Sequence, residues 1–126
     1  APRLGRPGDR AGGEAAGQLG LALLILTGVV EGREAERLAD RIVARSLDLR
    51  DEPLEGHPVL ASPFMHHYLF LALQKLGRRA EIRAIIAGRW GRWVGEGRPT
   101  TPENWSIDFP DGSACHGFSA HPLGWL

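Results

Sequence analysis

Two apolar runs, each stopped by a glycine and each followed by an amphipathic stretch, confine this chain to packed helices. From Glu14 to about Thr27 the residues are apolar nearly all round: Ala15, Ala16, Leu19, Leu21, Ala22, Leu23, Leu24, Ile25 and Leu26. A helix without a polar face wants neighbours on every side, and Gly28 supplies its stop. The partner, Arg33 to Leu47, repeats Ala35, Leu38, Ala39, Ile42, Val43 and Leu47 at three and four residues. That is the helical period, with Glu34, Glu36, Arg37, Asp40, Arg41 and Arg45 expected on the outward face.

The pattern then recurs. Ser62-Pro63 is a helix entry, since serine caps and proline suits the first helical position. Phe64 to Leu76 is again apolar on several sides and ends at Gly77, and Arg79 to about Val94 is its amphipathic partner, with Ile82, Ile85, Ile86, Trp90 and Trp93 inward. Between the hairpins, Asp51 to Ala61 carries two prolines and a glycine and reads as loop. Gly95 to Gly112 is a second loop, and Ser113 to Leu126 begins a last helix. Ala1 to Gly13 buries no apolar surface and reads as a flexible N-terminal arm, leaving 14–126 as one all-α unit. Buried helix, short turn and amphipathic helix, twice over, are what consecutive turns of an α-toroid give. The missing initiator methionine and the apolar end at Leu123, Trp125 and Leu126 lead us to expect a piece of a larger domain.

The totals narrow the function classes. Fifteen basic and fifteen acidic residues cancel, so no global field favours nucleic acid or an anionic membrane. The longest apolar run, Leu19 to Leu26, is too short to span a bilayer. One cysteine excludes an internal disulfide framework. With no export signal in the N-terminal stretch, a cytoplasmic location is the expectation.

Chemistry-bearing residues gather in one stretch, Arg98 to Leu126. It holds Trp105, Trp125, His116, His121, Cys115, Glu103, Asp108 and Asp111. Indole faces stack on sugar C–H bonds while carboxylates and imidazoles bond hydroxyls, and loops at the end of a rigid scaffold are where such residues sit. The segments T-T-P-E-N-W and D-G-S-A-C-H-G-F-S-A-H-P-L-G-W-L resemble the end of the catalytic domain of bacterial alpha-L-rhamnosidases, glycoside hydrolase family 78. There a T-T-W-E-x-W loop precedes an S-L-C-H-G-W-S-A-x-P-x-x-W-L helix. Upstream, S-P-F-M-H-H-Y-L-F-L-A-L-Q-K-L-G-R is similar to the family's S-P-Y-x-x-x-Y-x-L-x-A-L-x-x-x-G-R helix. The resemblance covers roughly Glu14 to Leu126. It implies an (α/α)6 barrel of six hairpins, of which this chain supplies a partial toroid, and release of terminal alpha-L-rhamnose with inversion.

Carried over position by position, the resemblance makes Glu103 the general base that takes a proton from the attacking water. His116 becomes a neutral imidazole on a sugar hydroxyl, and Trp105 and Trp125 become apolar walls for a deoxy-sugar. Pro102 stands where the family often has tryptophan. An inverting mechanism needs a second carboxyl group about 6.5–9.5 Å from the base; in the family it comes from an earlier part of the barrel, so the chain alone is expected to hydrolyse little. Read from its residues alone, Glu103 is instead a loop carboxylate in solvent, and His116 a helix-start histidine bonded to backbone. Cys115 and His116 are sequence neighbours whose helical side chains diverge, so they make no nucleophile–base pair. His66-His67 and His116/His121 have the wrong spacing for a helical metal site, and a packing or hydrogen-bonding role is expected for the former pair. Trp90 and Trp93 are expected in the core, and Arg89, Arg92 and Arg98 on a solvated face. No cofactor is implied. The partner classes are a carbohydrate and the remainder of the barrel. From another class, a helical-repeat module binding a protein through open inner helices would have the same pattern, as would a six-hairpin glycosidase of other sugar specificity.

Overall fold

A computed structural model describes residues 17–97, 105 and 117–125. The expectations for the arm 1–13 and for Arg98, Glu103, Asp108, Asp111, Cys115 and His116 lie outside these residues. The protein is all-α. Helices α1 (Gln18–Leu26), α2 (Gly32–Leu47), α3 (His66–Lys75) and α4 (Arg79–Ile85) are followed by a π-helical turn, Ile86–Trp90, then α5 (Gly91–Gly95) and a 3-10 segment, Gly117–Trp125. A single parallel bridge, Gly17 to Val59, is the extended pairing among the described residues.

Polar contacts fix how the helices run. At one end, Gln18 donates its backbone N–H to Val59 O at 2.9 Å, and its side-chain Oε1 accepts from Ala61 N at 2.8 Å. At the other end, the chain's one lysine, Lys75, donates to Ile25 O at 2.7 Å. The start of α1 therefore meets the entry to α3, and the two C-terminal ends meet. The two apolar helices run parallel. Arg78, just before α4, bridges to Glu36 at 2.7 Å and Asp40 at 2.8 Å near the start of α2. Arg89, beyond α4, reaches Ser46 O at 2.7 Å near its end. The two amphipathic helices also run parallel. Two hairpins thus lie side by side in the same orientation.

The glycine stops are where the sequence puts them. Gly28 and Gly77 have φ of +81° and +76°, the left-handed region that glycine enters without a Cβ penalty. After α3, Arg78 N donates to Leu73 O at 2.8 Å and Gly77 N to Gln74 O at 2.9 Å, the paired bonds of a Schellman ending. Ser62 Oγ accepts from Met65 N at 3.3 Å, which caps the preceding turn and not α3 itself, whose N-cap position is Met65 with no side-chain cap bond. Regular helix starts only at His66, after a turn over 63–65.

Three expectations are corrected. Helix α1 is buried on one face, Gln18, Leu21, Ala22 and Ile25, while Leu23 is 43 % exposed; α2 and α3 cover it from one side among the described residues. The stretch expected as one helix over 79–94 is interrupted by the π-helical turn. Last, Arg45 and Arg89, expected on solvated faces, are both fully buried. Their guanidinium groups reach past the end of α2, where carbonyls without helical partners need donors. Trp90 and Trp93 lie in the core as expected.

Candidate functional site

The buried polar side chains of the described residues, Gln18, Arg45, Ser46, His66 and Arg89, gather at the end where α1 and α3 begin and α2 finishes. Gln18 anchors the cluster. Its Nε2 donates to Ile42 O at 2.9 Å and Ser46 Oγ at 2.7 Å. Ser46 Oγ lies 2.7 Å from His66 Nε2, and His66 Nδ1 lies 3.0 Å from Ser62 O. A carbonyl only accepts, so Nδ1 carries the proton, Nε2 accepts from the Ser46 hydroxyl, and Ser46 in turn accepts from Gln18. Gln18, Ser46 and His66 are fully buried. Burial, joined by the nearby Arg89 and His121 charges, pushes the His66 imidazole down to about 3, so it is neutral at physiological pH.

A serine hydroxyl on an imidazole has the geometry of an activated nucleophile. Here it is closed to any substrate, and a backbone carbonyl takes the orienting position that a carboxylate would hold. The arrangement is a satisfied buried network, and such networks fix one packing of a core. His66 thus has the hydrogen-bonding role expected for the pair, while His67 has ring-packing contacts.

Around His66 stands an aromatic cage. The His66 ring meets Trp105 edge-on at 5.0 Å, Phe70 at 5.8 Å and Trp90 at 5.9 Å. Its neighbour His67 faces the other way, 5.4 Å from His121 and 6.1 Å from Trp125. His121 lies 2.7 Å from Pro63 O, so its Nε2 donates there. Burial lowers the pKa of His121, with His67 adding to the effect. Among the described residues no group of three or more His, Cys, Asp or Glu side chains could hold a metal.

Of the four residues singled out by the resemblance, two are described. Trp105 is 7 % exposed. Its indole N–H donates to Ala61 O at 2.6 Å, Trp93 stacks on it at 5.4 Å, and the Arg89 guanidinium lies over its ring at 4.8 Å. Trp125 is partly buried and packs edge-on to Phe70 at 5.9 Å. Both therefore converge, through His66, His67 and Phe70, on the first turns of α3.

Beside the cage two arginines hold the loop that follows α2. Arg45 donates to Asp48 O at 3.2 Å, Arg50 O at 2.9 Å and Glu52 O at 3.0 Å. Arg89 donates to Ser46 O and to Asp48 O, and faces Asp51 at 3.5 Å. Burial lowers the Arg89 pKa to about 10 against the opposing attraction of Asp51, so it stays a cation at neutral pH.

Gln18, Arg45 and Arg89 did carry a signal in the sequence. Gln18 stands three, four and seven residues before Leu21, Ala22 and Ile25; Arg45 continues Ala35, Leu38 and Ile42; Arg89 continues Ile82 and Ile86 toward Trp93. Each occupies a core position of its own stripe. Comparison with known protein families, with curated proteins and with solved structures found no match for this chain. No described helix is long and apolar enough to cross a membrane.

Proposed function

We propose that this chain is the C-terminal part of an inverting glycoside hydrolase similar to the alpha-L-rhamnosidases, with α1 and α3 as inner and α2 and α4 as outer helices of a six-hairpin toroid. The observation that carries the proposal is the parallel, side-by-side setting of the two hairpins, with Trp105 of the T-T-P-E-N-W motif seated where α1 and α3 begin. Successive hairpins in one orientation are the repeating step of such a barrel.

In this reading Glu103, two residues before Trp105 in the chain, takes a proton from water as the water oxygen bonds to the anomeric carbon. The glycosidic C–O bond breaks on the opposite face, and a second carboxylic acid protonates the departing oxygen. That acid belongs to another part of the barrel. Neutral His116 accepts or donates at a sugar hydroxyl, and Trp125 offers apolar surface to the sugar's methyl group. Trp105, whose ring is enclosed and whose N–H is taken, contributes by fixing the loop.

Thermal unfolding of the chain followed by circular dichroism, with and without millimolar L-rhamnose, tests this. A cooperative transition raised by L-rhamnose and not by D-glucose supports a half-site for the sugar. Equal transitions in all three conditions overturn it. An aryl alpha-L-rhamnoside should be turned over little by the chain alone, and robust turnover would refute the view that the acid lies elsewhere.

A further inference from the structure

Trp105 is held more completely than packing requires. Its indole N–H bonds Ala61 O, its ring is met by Trp93, Trp90 at 4.9 Å and His66, and Arg89 lies over it. Its backbone is held too: Arg92 Nη2 donates to Trp105 O at 3.1 Å. Arg92 is not itself part of the core, its side chain being 26 % exposed, and Asp51 stands 3.7 Å from the same nitrogen. Its other end reaches Leu49 O at 3.3 Å. One guanidinium thus ties the backbone at Trp105 to the loop after α2. That loop is in turn fixed from beneath by Arg45 and Arg89.

We infer that Arg92 is a positioning residue for the proposed sugar site: it holds the backbone at Trp105, which follows Glu103 by two residues in the sequence. The inference rests on the glycosidase reading of Glu103. An apolar core contact locates a ring but leaves its backbone free to shift, and a displacement of about 1 Å at a reacting group costs on the order of a hundredfold in rate. A donor on the carbonyl removes that freedom. Arginine suits the task because its planar fork reaches two acceptors at fixed angles and keeps its charge. Lysine can keep one of the two bonds.

The test uses Arg92→Leu and Arg92→Lys in the 126-residue chain, with two readouts. The first is exchange of the Trp105 indole N–H with solvent, followed by NMR, which does not depend on any ligand. Arg92→Leu should speed it by about tenfold or more while helical content holds, because the Ala61 bond opens more often once the backbone is released. Unchanged exchange overturns the inference. The second is the affinity for L-rhamnose. Arg92→Leu should weaken it by about tenfold, with Arg92→Lys recovering part of the loss at a similar unfolding midpoint. A wild-type chain that binds L-rhamnose and an Arg92→Leu variant that binds it equally well overturn the positioning role. A wild-type chain that binds no L-rhamnose overturns the glycosidase reading, and the role at Glu103 falls with it.

Discussion

The Ser46 hydroxyl, near the end of α2, donates across 2.7 Å to Nε2 of His66 at the start of α3, and both side chains are fully buried. This joins the amphipathic helix of one hairpin to the apolar helix of the next through an imidazole that must stay neutral. A second proton on His66 would meet the Ser46 donor head-on, turn it away, and place a cation near Arg89.

Stability should therefore fall as the solution turns mildly acidic. The folded His66 pKa is about 3 against an ordinary 6.5. The unfolded chain binds the proton first, so the contribution is complete above pH 6.5 and is lost as pH falls from there toward 3. The expected slope approaches about 1.4 kcal/mol per pH unit. His121, also lowered, acts in the same direction. Urea midpoints at pH 7, 6 and 5 measure this before most carboxylates titrate. The double variant Ser46→Ala/His66→Phe, which removes donor and acceptor together, should give a clearly shallower slope. An equal slope would mean that the acid sensitivity lies elsewhere.

Two glycines, one closing α3 and one inside α1, should respond to alanine with opposite signs. Gly77 closes α3 at φ +76°, with open space where a side-chain carbon would stand, so a methyl group meets no clash there. The loss comes from the backbone alone, about 1 kcal/mol or somewhat more. Gly20, exposed inside α1 with open space around it, should gain about 0.4–1 kcal/mol from the reduced entropy of the unfolded chain. Urea unfolding of Gly77→Ala and Gly20→Ala decides both. A stabilised Gly77→Ala would contradict the Schellman ending.

How much of this was legible follows from which interactions are local. Helix period, glycine stops and the Ser62 bond to Met65 N depend on neighbours within a turn or two, and the sequence displays them. The π-helical turn does not: it lets Arg89 and Trp90 both face inward, toward partners at Ser46 and His66 that lie some forty and twenty residues away in the chain. The same is true of Arg45. Its place on the apolar stripe is visible, but a charge is assigned to solvent unless a buried acceptor is known, and its acceptors are the carbonyls of a loop. Trp105 stands out as a motif residue. Its enclosure by Trp93, Arg89 and Ala61 O required the fold.

Arg45 should matter far more than Arg50, although Arg50 makes the shorter polar contact. Arg50 bonds Asp48 at 2.7 Å with its side chain 63 % exposed, and the pairing holds the Asp48 carboxyl well below the usual carboxylate range. An exposed pair like this gives up good hydration to form and is screened by salt, so its net contribution is small. Arg50→Ala should leave the urea midpoint nearly unchanged. Arg45 has no exposed surface and supplies three carbonyls, those of Asp48, Arg50 and Glu52, with donors. Arg45→Leu fills much of the same space but takes this donor from the Arg50 and Glu52 carbonyls, Asp48 O keeping Arg89, and each acceptor left alone away from water costs about 1–3 kcal/mol. Because the carbonyls sit on a loop, some will turn to water, so the expected net loss is about 3 kcal/mol. Arg45→Lys should recover little, since a single ammonium cannot span three acceptors. Equal midpoints for Arg45→Leu and Arg50→Ala would show that the loop holds itself, and that neither arginine is needed to seat it.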